Sequence, residues 1–363
     1  MISAPLSHDE IRSAPKVVLH EHLDGGLRPQ TLIDIAGEIG RPLPADEPQA
    51  LADWFFDAAN SGSLERYLET FAHTVAAMQT PEHCARIASE AVQDLAADGV
   101  VYAELRYAPE QQLTRGMSLD EVVESTVAGL AEGERLAAEA GHTIQTGTIL
   151  CGMRQANRVK EIAELAVAHR DKGVVGFDIA GPERGFLPQK HLAAFEYLRR
   201  ECMPFTIHAG ESDGLDSILG AVADCGAQRI GHGVRITDDI DRSGFGAQLG
   251  RLATYIRDRR IALEVCPSSN LQTGAADSIA THPVNDLYRL GFRVTVNNDN
   301  RLMSRTHTSR EFHLLSEAFD WSWSEIANCT VNAAEAAFLP YPERRVLIDE
   351  VIRPAYAALE RSA

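Results

Sequence analysis

Residues 16–23 read Lys-Val-Val-Leu-His-Glu-His-Leu: three aliphatic residues in succession, then two histidines two places apart. A short apolar run of this kind is the pattern of a buried strand. Side chains alternate between the two faces of a strand, so His20 and His22 project from the same face. Two imidazoles side by side can grip one ion. Moving outward, seven more runs rich in Val, Ile, Leu or Phe follow, at 100–109, 143–153, 174–181, 204–211, 229–236, 261–270 and 292–299. Amphipathic helical stretches lie between them, among them 118–141, 157–172 and 188–201. Strands that alternate with helices imply a parallel sheet. Eight such units imply an α/β protein of the closed (β/α)8 TIM-barrel type.

The rhythm is interrupted once. Residues 31–98, between the first and second strands, read as several helices, including 64–78 and 82–98. This helical insertion is expected at one end of the barrel, where its aromatic residues (Trp54, Phe55, Phe56, Tyr67 and Phe71) could close over a ligand. Helix core packing accounts for most of them on the simpler reading. From about residue 309 onward the pattern is again helical and extends past the barrel. No linker or repeat divides the chain of 363 residues, which is expected to form a single domain over 1–363.

Composition narrows the function. A hydrophobic share of 45% with 24% charged residues is that of a globular protein with a large core. The net charge of −18 repels phosphate backbones and anionic membranes, so a small-molecule substrate is expected, with no nucleic-acid or membrane partner. The six cysteines, at 84, 151, 202, 225, 266 and 329, contain no CxxC pair, which implies reduced thiols and a cytoplasmic location. The opening residues MISAPLSHDE lack the basic start and apolar core of a signal peptide, and no apolar run is long enough to span a bilayer.

Chemistry is expected at the carboxyl ends of barrel strands. The first strand carries His20 and His22, the fifth ends in His208-Ala-Gly-Glu211, the sixth carries His232 between two glycines, and the eighth ends in Asn297-Asn298-Asp299-Asn300. One histidine on an apolar strand is more often a core residue than a ligand. The set of four motifs on separate strand ends is specific. Nitrogen and carboxylate donors suit zinc, which lowers the pKa of a bound water to about 7. Glu211 and His232 are then placed to move protons.

These motifs, with Val100-Val-Tyr-Ala-Glu-Leu-Arg-Tyr-Ala-Pro109, Glu264-Val-Cys-Pro-Ser-Ser-Asn270, Thr273-Gly-Ala275 and His282-Pro283, occur in an order and spacing that resembles the adenosine deaminases over nearly the whole chain. The resemblance implies one Zn2+ per chain, bound by His20, His22, His208 and Asp299. It implies that hydroxide generated there attacks the purine carbon bearing the amino group, giving inosine and ammonia in purine salvage. Glu211 would protonate the adjacent ring nitrogen, and His232 and Asp299 would orient the hydroxide and handle its proton. The Gly181 N–H would meet another ring nitrogen and Asp24 a ribose hydroxyl. Leu64, Tyr67, Leu68 and Phe71 fall in a segment similar to the family's lid. The commonest run after the eighth strand is Asn-Thr-Asp-Asp-Pro; here it is Asn297-Asn298-Asp299-Asn300-Arg301. Asn300 would therefore face the purine's imidazole edge, with an amide able to donate to a ring nitrogen.

Competing readings are weaker. Relatives act on adenine or on 5′-modified adenosines such as aminodeoxyfutalosine; Asp24 favours a substrate with a sugar. Gly210-Glu-Ser-Asp-Gly214 fits the G-x-S-x-G elbow of serine hydrolases with Ser212 as nucleophile, but the best histidine precedes the best acid and the His20–His22 pair is left without a role. His8-Asp-Glu10 lacks the PCxxC that completes the other zinc-deaminase signature. Gly244-Phe-Gly246 with Gly250 echoes a dinucleotide loop at the wrong spacing.

Overall fold

The computed structural model describes residues 6–244 and 246–362. The first five residues, part of the N-terminal stretch discussed above, and Phe245, inside the Gly244 to Gly250 loop, lie outside them.

All eight expected strands form: β1 (Lys16–His22), β2 (Val100–Tyr107), β3 (Gln145–Met153), β4 (Val174–Ala180), β5 (Thr206–Ala209), β6 (Arg229–His232), β7 (Ala262–Val265) and β8 (Arg293–Val296). They pair in parallel as two four-stranded halves, β1-β2-β3-β4 and β5-β6-β7-β8. Helices between the strands make the outer layer. The second half is built of shorter strands than the apolar runs imply. After β6, Gly233 turns the chain at φ 69° into a tight 3-10 turn, and after β7, Pro267 opens the helix Pro267–Gln272. A short antiparallel hairpin, Ile240–Asp241 with Gln248–Leu249, has no counterpart among the expected elements; the glycines that echo a dinucleotide motif sit in and after its loop.

The halves meet at two seams where main-chain pairing is sparse. β4 touches β5 through Phe177 and Phe205, and β1 touches the end of β8 through Glu21 and Asp299. At each seam a buried side chain replaces the missing ladder. Asp178 Oδ1 accepts from the His208 N–H at 3.2 Å. Asn297 Oδ1 accepts from the N–H groups of Leu19 (2.8 Å) and His20 (3.2 Å), which fall in the register break of β1 against β2. Main-chain groups sealed from water need such partners. The Glu21–Asp299 contact lies at the carboxyl end of the strands, where the polar motifs collect.

Between β1 and β2 run the helices Pro29–Ile39, Pro48–Ala59, Leu64–Glu69, Phe71–Ala77 and Pro81–Ala97. The expected helix over 64–78 is thus broken, at Thr70, whose hydroxyl turns back onto the Tyr67 carbonyl at 2.7 Å. The last of these helices packs on Leu119–Glu139, with Gly129 so close to Ala85 that a Cβ would stand 2.3 Å from its carbonyl oxygen. Beyond β8 the expected extra helices follow, the longest being Thr308–Phe319 and Trp323–Ala336. No helix among the described residues is long and apolar enough to cross a membrane.

Replacing Asn297 by Val strips two buried N–H groups of their acceptor. Urea denaturation is expected to show a loss of about 2–4 kcal/mol.

Candidate active site

The four histidines singled out in the sequence come together at the carboxyl ends of β1, β5 and β6. In five of the six pairs the ring centroids lie 4.5–5.4 Å apart, with His20 at 4.5 Å from His208 and 4.8 Å from His232. Asp299 joins them from the end of β8: its Oδ1 is 3.5 Å from His20 Nε2 and 3.4 Å from His22 Nε2. Both Asp299 and His232 adopt a left-handed backbone at φ 60°. This conformation is uncommon for non-glycine residues and is tolerated where the surroundings fix it. Here they do: the Asp299 N–H donates to the His20 carbonyl (3.0 Å) and the Asp299 carbonyl accepts from the His22 N–H (2.7 Å).

The outer nitrogens of two of these rings face carboxylates buried in the barrel. His20 Nδ1 is 2.9 Å from Glu264 Oε2, and His208 Nδ1 is 2.7 Å from Asp178 Oδ2. A proton on His20 Nδ1 faces Glu264, and the nearness of Asp178 favours one on His208 Nδ1, which leaves the Nε2 lone pairs aimed inward. Arg106 lies between the two carboxylates, at 2.7 Å from Asp178 and 2.8 Å from Glu264. Arg229 extends the network, at 2.6 Å from Glu264 and from Glu104, with its guanidinium 3.6 Å from the centre of the Phe338 ring. All five charged side chains are at most 1% exposed. Burial alone pushes the Glu264 carboxyl up, but Arg106, Arg229 and His20 outweigh it and hold it well below the usual range.

This donor set fits a metal ion. His22 Nε2 and His208 Nε2 face each other at 3.2 Å, and His20 Nε2 is buried without a hydrogen-bond partner. One ligand atom from each of the three lies within 4.8 Å of the others. Converging lone pairs beside a carboxylate oxygen call for a cation. An overlapping set adds Cys266 and His232. Burial drives the Cys266 thiol far above its ordinary pKa, and it donates to the Glu264 carbonyl (3.5 Å). His232 is engaged at Nδ1 by Asn270 at 3.0 Å. That leaves its Nε2 facing Glu211 Oε2 at 3.5 Å.

Glu211 stands beside this cluster, its Oε2 3.5 Å from His232 Nε2 and its Oε1 accepting from the Thr273 hydroxyl at 2.9 Å. Burial, then the charges of Asp299 and Glu183, push its carboxyl well above the usual range, which favours its protonated form. Glu183 shapes the loop that carries it: its two oxygens accept from the N–H groups of Gly210, Glu211, Ser212 and Asp213 at 2.5–3.1 Å. The Ser212 hydroxyl faces the same carboxylate at 3.4 Å, so the partner of this serine is an acid and not an imidazole.

The cluster opens into a cavity of about 390 Å3. Asp24, Gly181 and Asn300 line it, together with Leu64, Tyr67, Leu68 and Phe71 from the helices after β1. Asp24 Oδ1 and Asn300 Oδ1 are buried without a hydrogen-bond partner, Asp24 Oδ1 lying 3.7 Å from His22 Nδ1. Gly25 makes room for Asn300, whose Oδ1 would stand 1.8 Å from a Cβ there. The departures at 298 and 301 have a shared structural reason: Asn298 Nδ2 and Arg301 Nε both bind the buried carboxylate of Glu21, at 2.8 and 2.5 Å.

The structure thus brings together every residue expected at the site. Sequence reasoning passed over Arg106, Asp178, Glu183, Glu264, Asn270 and His282 as functional residues. Charges in the middle of apolar strands, as in Ala-Glu-Leu-Arg at 103–106 and Leu-Glu-Val at 263–265, were the available signal.

A family model described as adenosine deaminase matches residues 15–354. The chain is 57% identical to an adenosine deaminase of Mycobacterium avium, over 99% of this chain and all of that one. It is 58% identical to adenosine deaminase 1 of Streptomyces coelicolor, over 99% of this chain and 91% of that one. Among solved structures, an Arabidopsis N6-mAMP deaminase is 27% identical with a TM-score of 0.78, covering 94% of this chain and 99% of that one. An adenine deaminase from Arthrobacter aurescens shares the fold at a TM-score of 0.79 and 24% identity, covering 93% and 98%. The chain belongs to the adenosine deaminase family.

Proposed function

We propose that this protein is a zinc-dependent aminohydrolase that converts adenosine, and 2′-deoxyadenosine, to inosine or 2′-deoxyinosine and ammonia, serving purine salvage in the cytoplasm. The observation that carries the reading is the meeting, at one end of a nucleoside-sized cavity, of three imidazole Nε2 atoms and a carboxylate with a second carboxyl group, that of Glu211. The 57–58% identity to proteins named adenosine deaminase supports the same substrate. Six free cysteines, five of them buried, suit a reducing compartment.

In this reading the whole chain, 1–363, is one catalytic domain, and the helices within 31–98 are its lid. His20, His22, His208 and Asp299 would hold one Zn2+. Zinc, when bound, lowers the pKa of water to about 7 and so provides the nucleophile at neutral pH. The chain's own groups do the rest. Glu211 gives its proton to the ring nitrogen next to the reacting carbon, so that the ring accepts electrons as that carbon becomes tetrahedral. Ser269 donates to Asp299 Oδ2 at 2.5 Å and fixes the carboxylate beside the histidines. Asp24 accepts from a sugar hydroxyl, the Gly181 N–H meets a ring nitrogen, and the Asn300 amide donates to the imidazole edge of the base. Leu64, Tyr67, Leu68 and Phe71 cover the ligand and exclude water.

Ultraviolet conversion of adenosine to inosine tests the reaction. Fast turnover that a chelator abolishes and added zinc restores is the expected result; metal-replete protein that leaves adenosine unchanged overturns it. Substrate breadth is tested separately, with adenine and aminodeoxyfutalosine expected to show far lower kcat/KM than adenosine. Glu211→Gln should keep its zinc and lose about 10²–10⁴ in kcat. Loss of the metal in this variant would make Glu211 a ligand instead of a proton donor.

A further inference from the structure

Beyond the cluster runs a chain of buried hydrogen bonds whose direction is fixed from its far end. The N–H of Val284 donates to His282 Nδ1 at 3.0 Å. A main-chain N–H can only donate, so this Nδ1 carries a lone pair. His282 is buried, and burial alone brings its pKa down to about 3, so the ring is neutral. Its single proton therefore sits on Nε2, which lies 3.2 Å from Asn270 Oδ1 and donates to it. The amide oxygen being turned to His282, the amide NH2 is turned to His232, with Nδ2 3.0 Å from His232 Nδ1. An amide NH2 has no lone pair to offer, so His232 Nδ1 is the acceptor.

We propose that Asn270 and His282 are positioning residues that set the tautomer of His232, placing its one proton on Nε2. That atom is the one facing the reaction space, 3.5 Å from Glu211 Oε2. The inference rests on the reading of this site as a deaminase centre and sharpens it. His232 enters the reaction as a hydrogen-bond donor that orients the attacking oxygen and has no free nitrogen on that side to take its proton. Of the two groups assigned to handle that proton, only the Asp299 carboxylate then keeps lone pairs that could take it. The relay is buried, with Asn270 at 0% exposure, His232 at 1% and His282 at 2%.

Nitrogen-15 spectra of the zinc-loaded, histidine-labelled protein test the tautomer without recourse to activity. The His232 signals are identified by their loss in His232→Asn. The expected spectrum shows a proton-bearing Nε2 and a bare Nδ1 for His232, and the same for His282. A proton on Nδ1 of His232 in the native protein overturns the proposal, whether or not adenosine is the substrate. Asn270→Asp presents only acceptors and should move the His232 proton to Nδ1, with kcat reduced at least about 100-fold, KM little changed and zinc content intact. His282→Gln, whose amide can still donate to Asn270, should lose less activity than His282→Leu. An Asn270→Asp enzyme with undiminished kcat also overturns the proposal. Should that variant fail to fold, the native spectrum decides.

Discussion

The guanidinium of Arg106, gripped between Glu264 and Asp178 in the centre of the barrel, is the interaction on which the rest of the site depends. A TIM barrel is ordinarily filled with branched aliphatic side chains. This one holds Glu104, Arg106, Asp178, Arg229 and Glu264 in its interior. Three carboxylates face two guanidiniums, so one negative charge is left over. It is directed at the outer nitrogens of His20 and His208. Buried ion pairs add little to stability on balance, and removing one partner is costly because the other is stranded. What the network contributes is orientation: it holds the Nδ1 protons outward and the Nε2 lone pairs inward.

The same economy of buried charge appears on the opposite side of the cavity. Glu183 collects four main-chain N–H groups of the loop that bears Glu211, and its negative charge then adds to burial in favouring the protonated form of Glu211. One carboxylate thus shapes the loop and disfavours ionisation of its neighbour. Two acids in one site are driven apart in protonation: Asp299 is pulled well below its ordinary range, burial being outweighed by the surrounding histidines, while Glu211 is pushed above. A pair separated in this way can serve as acceptor and donor at a single pH.

Much of this is legible in the chain itself. The eight apolar runs mark the strands, and the polar residues at their ends mark the cluster, because burying a histidine or an aspartate on a barrel strand is costly unless a partner or an ion engages it. The ends of β6 and β7 fall short of the apolar runs because Gly233 and Pro267 stop the strands while the apolar pattern continues through Val234 and Ile236. The break at Thr70 depends on a hydroxyl bonding back to its own helix, which periodicity does not register. The partners of the site residues, Asp178, Glu264 and Asn270, lie far from them in the chain. Their significance is a matter of three-dimensional pairing, which one sequence does not display. Asn298 gains its meaning only from Glu21, whose carboxylate lies between it and Arg301.

The two seams give the centre a mechanical meaning. An ion held by His20, His22, His208 and Asp299 would take two ligands from β1 and two from the half built of β5 to β8, riveting the barrel across its weakest lines. Anything that binds only the closed form stabilises it by mass action. The ion-free chain would then be the state in which the halves part most readily, exposing the charged interior to water and its strand edges to proteases. Metal supply would in that way set the lifetime of the protein as well as its rate.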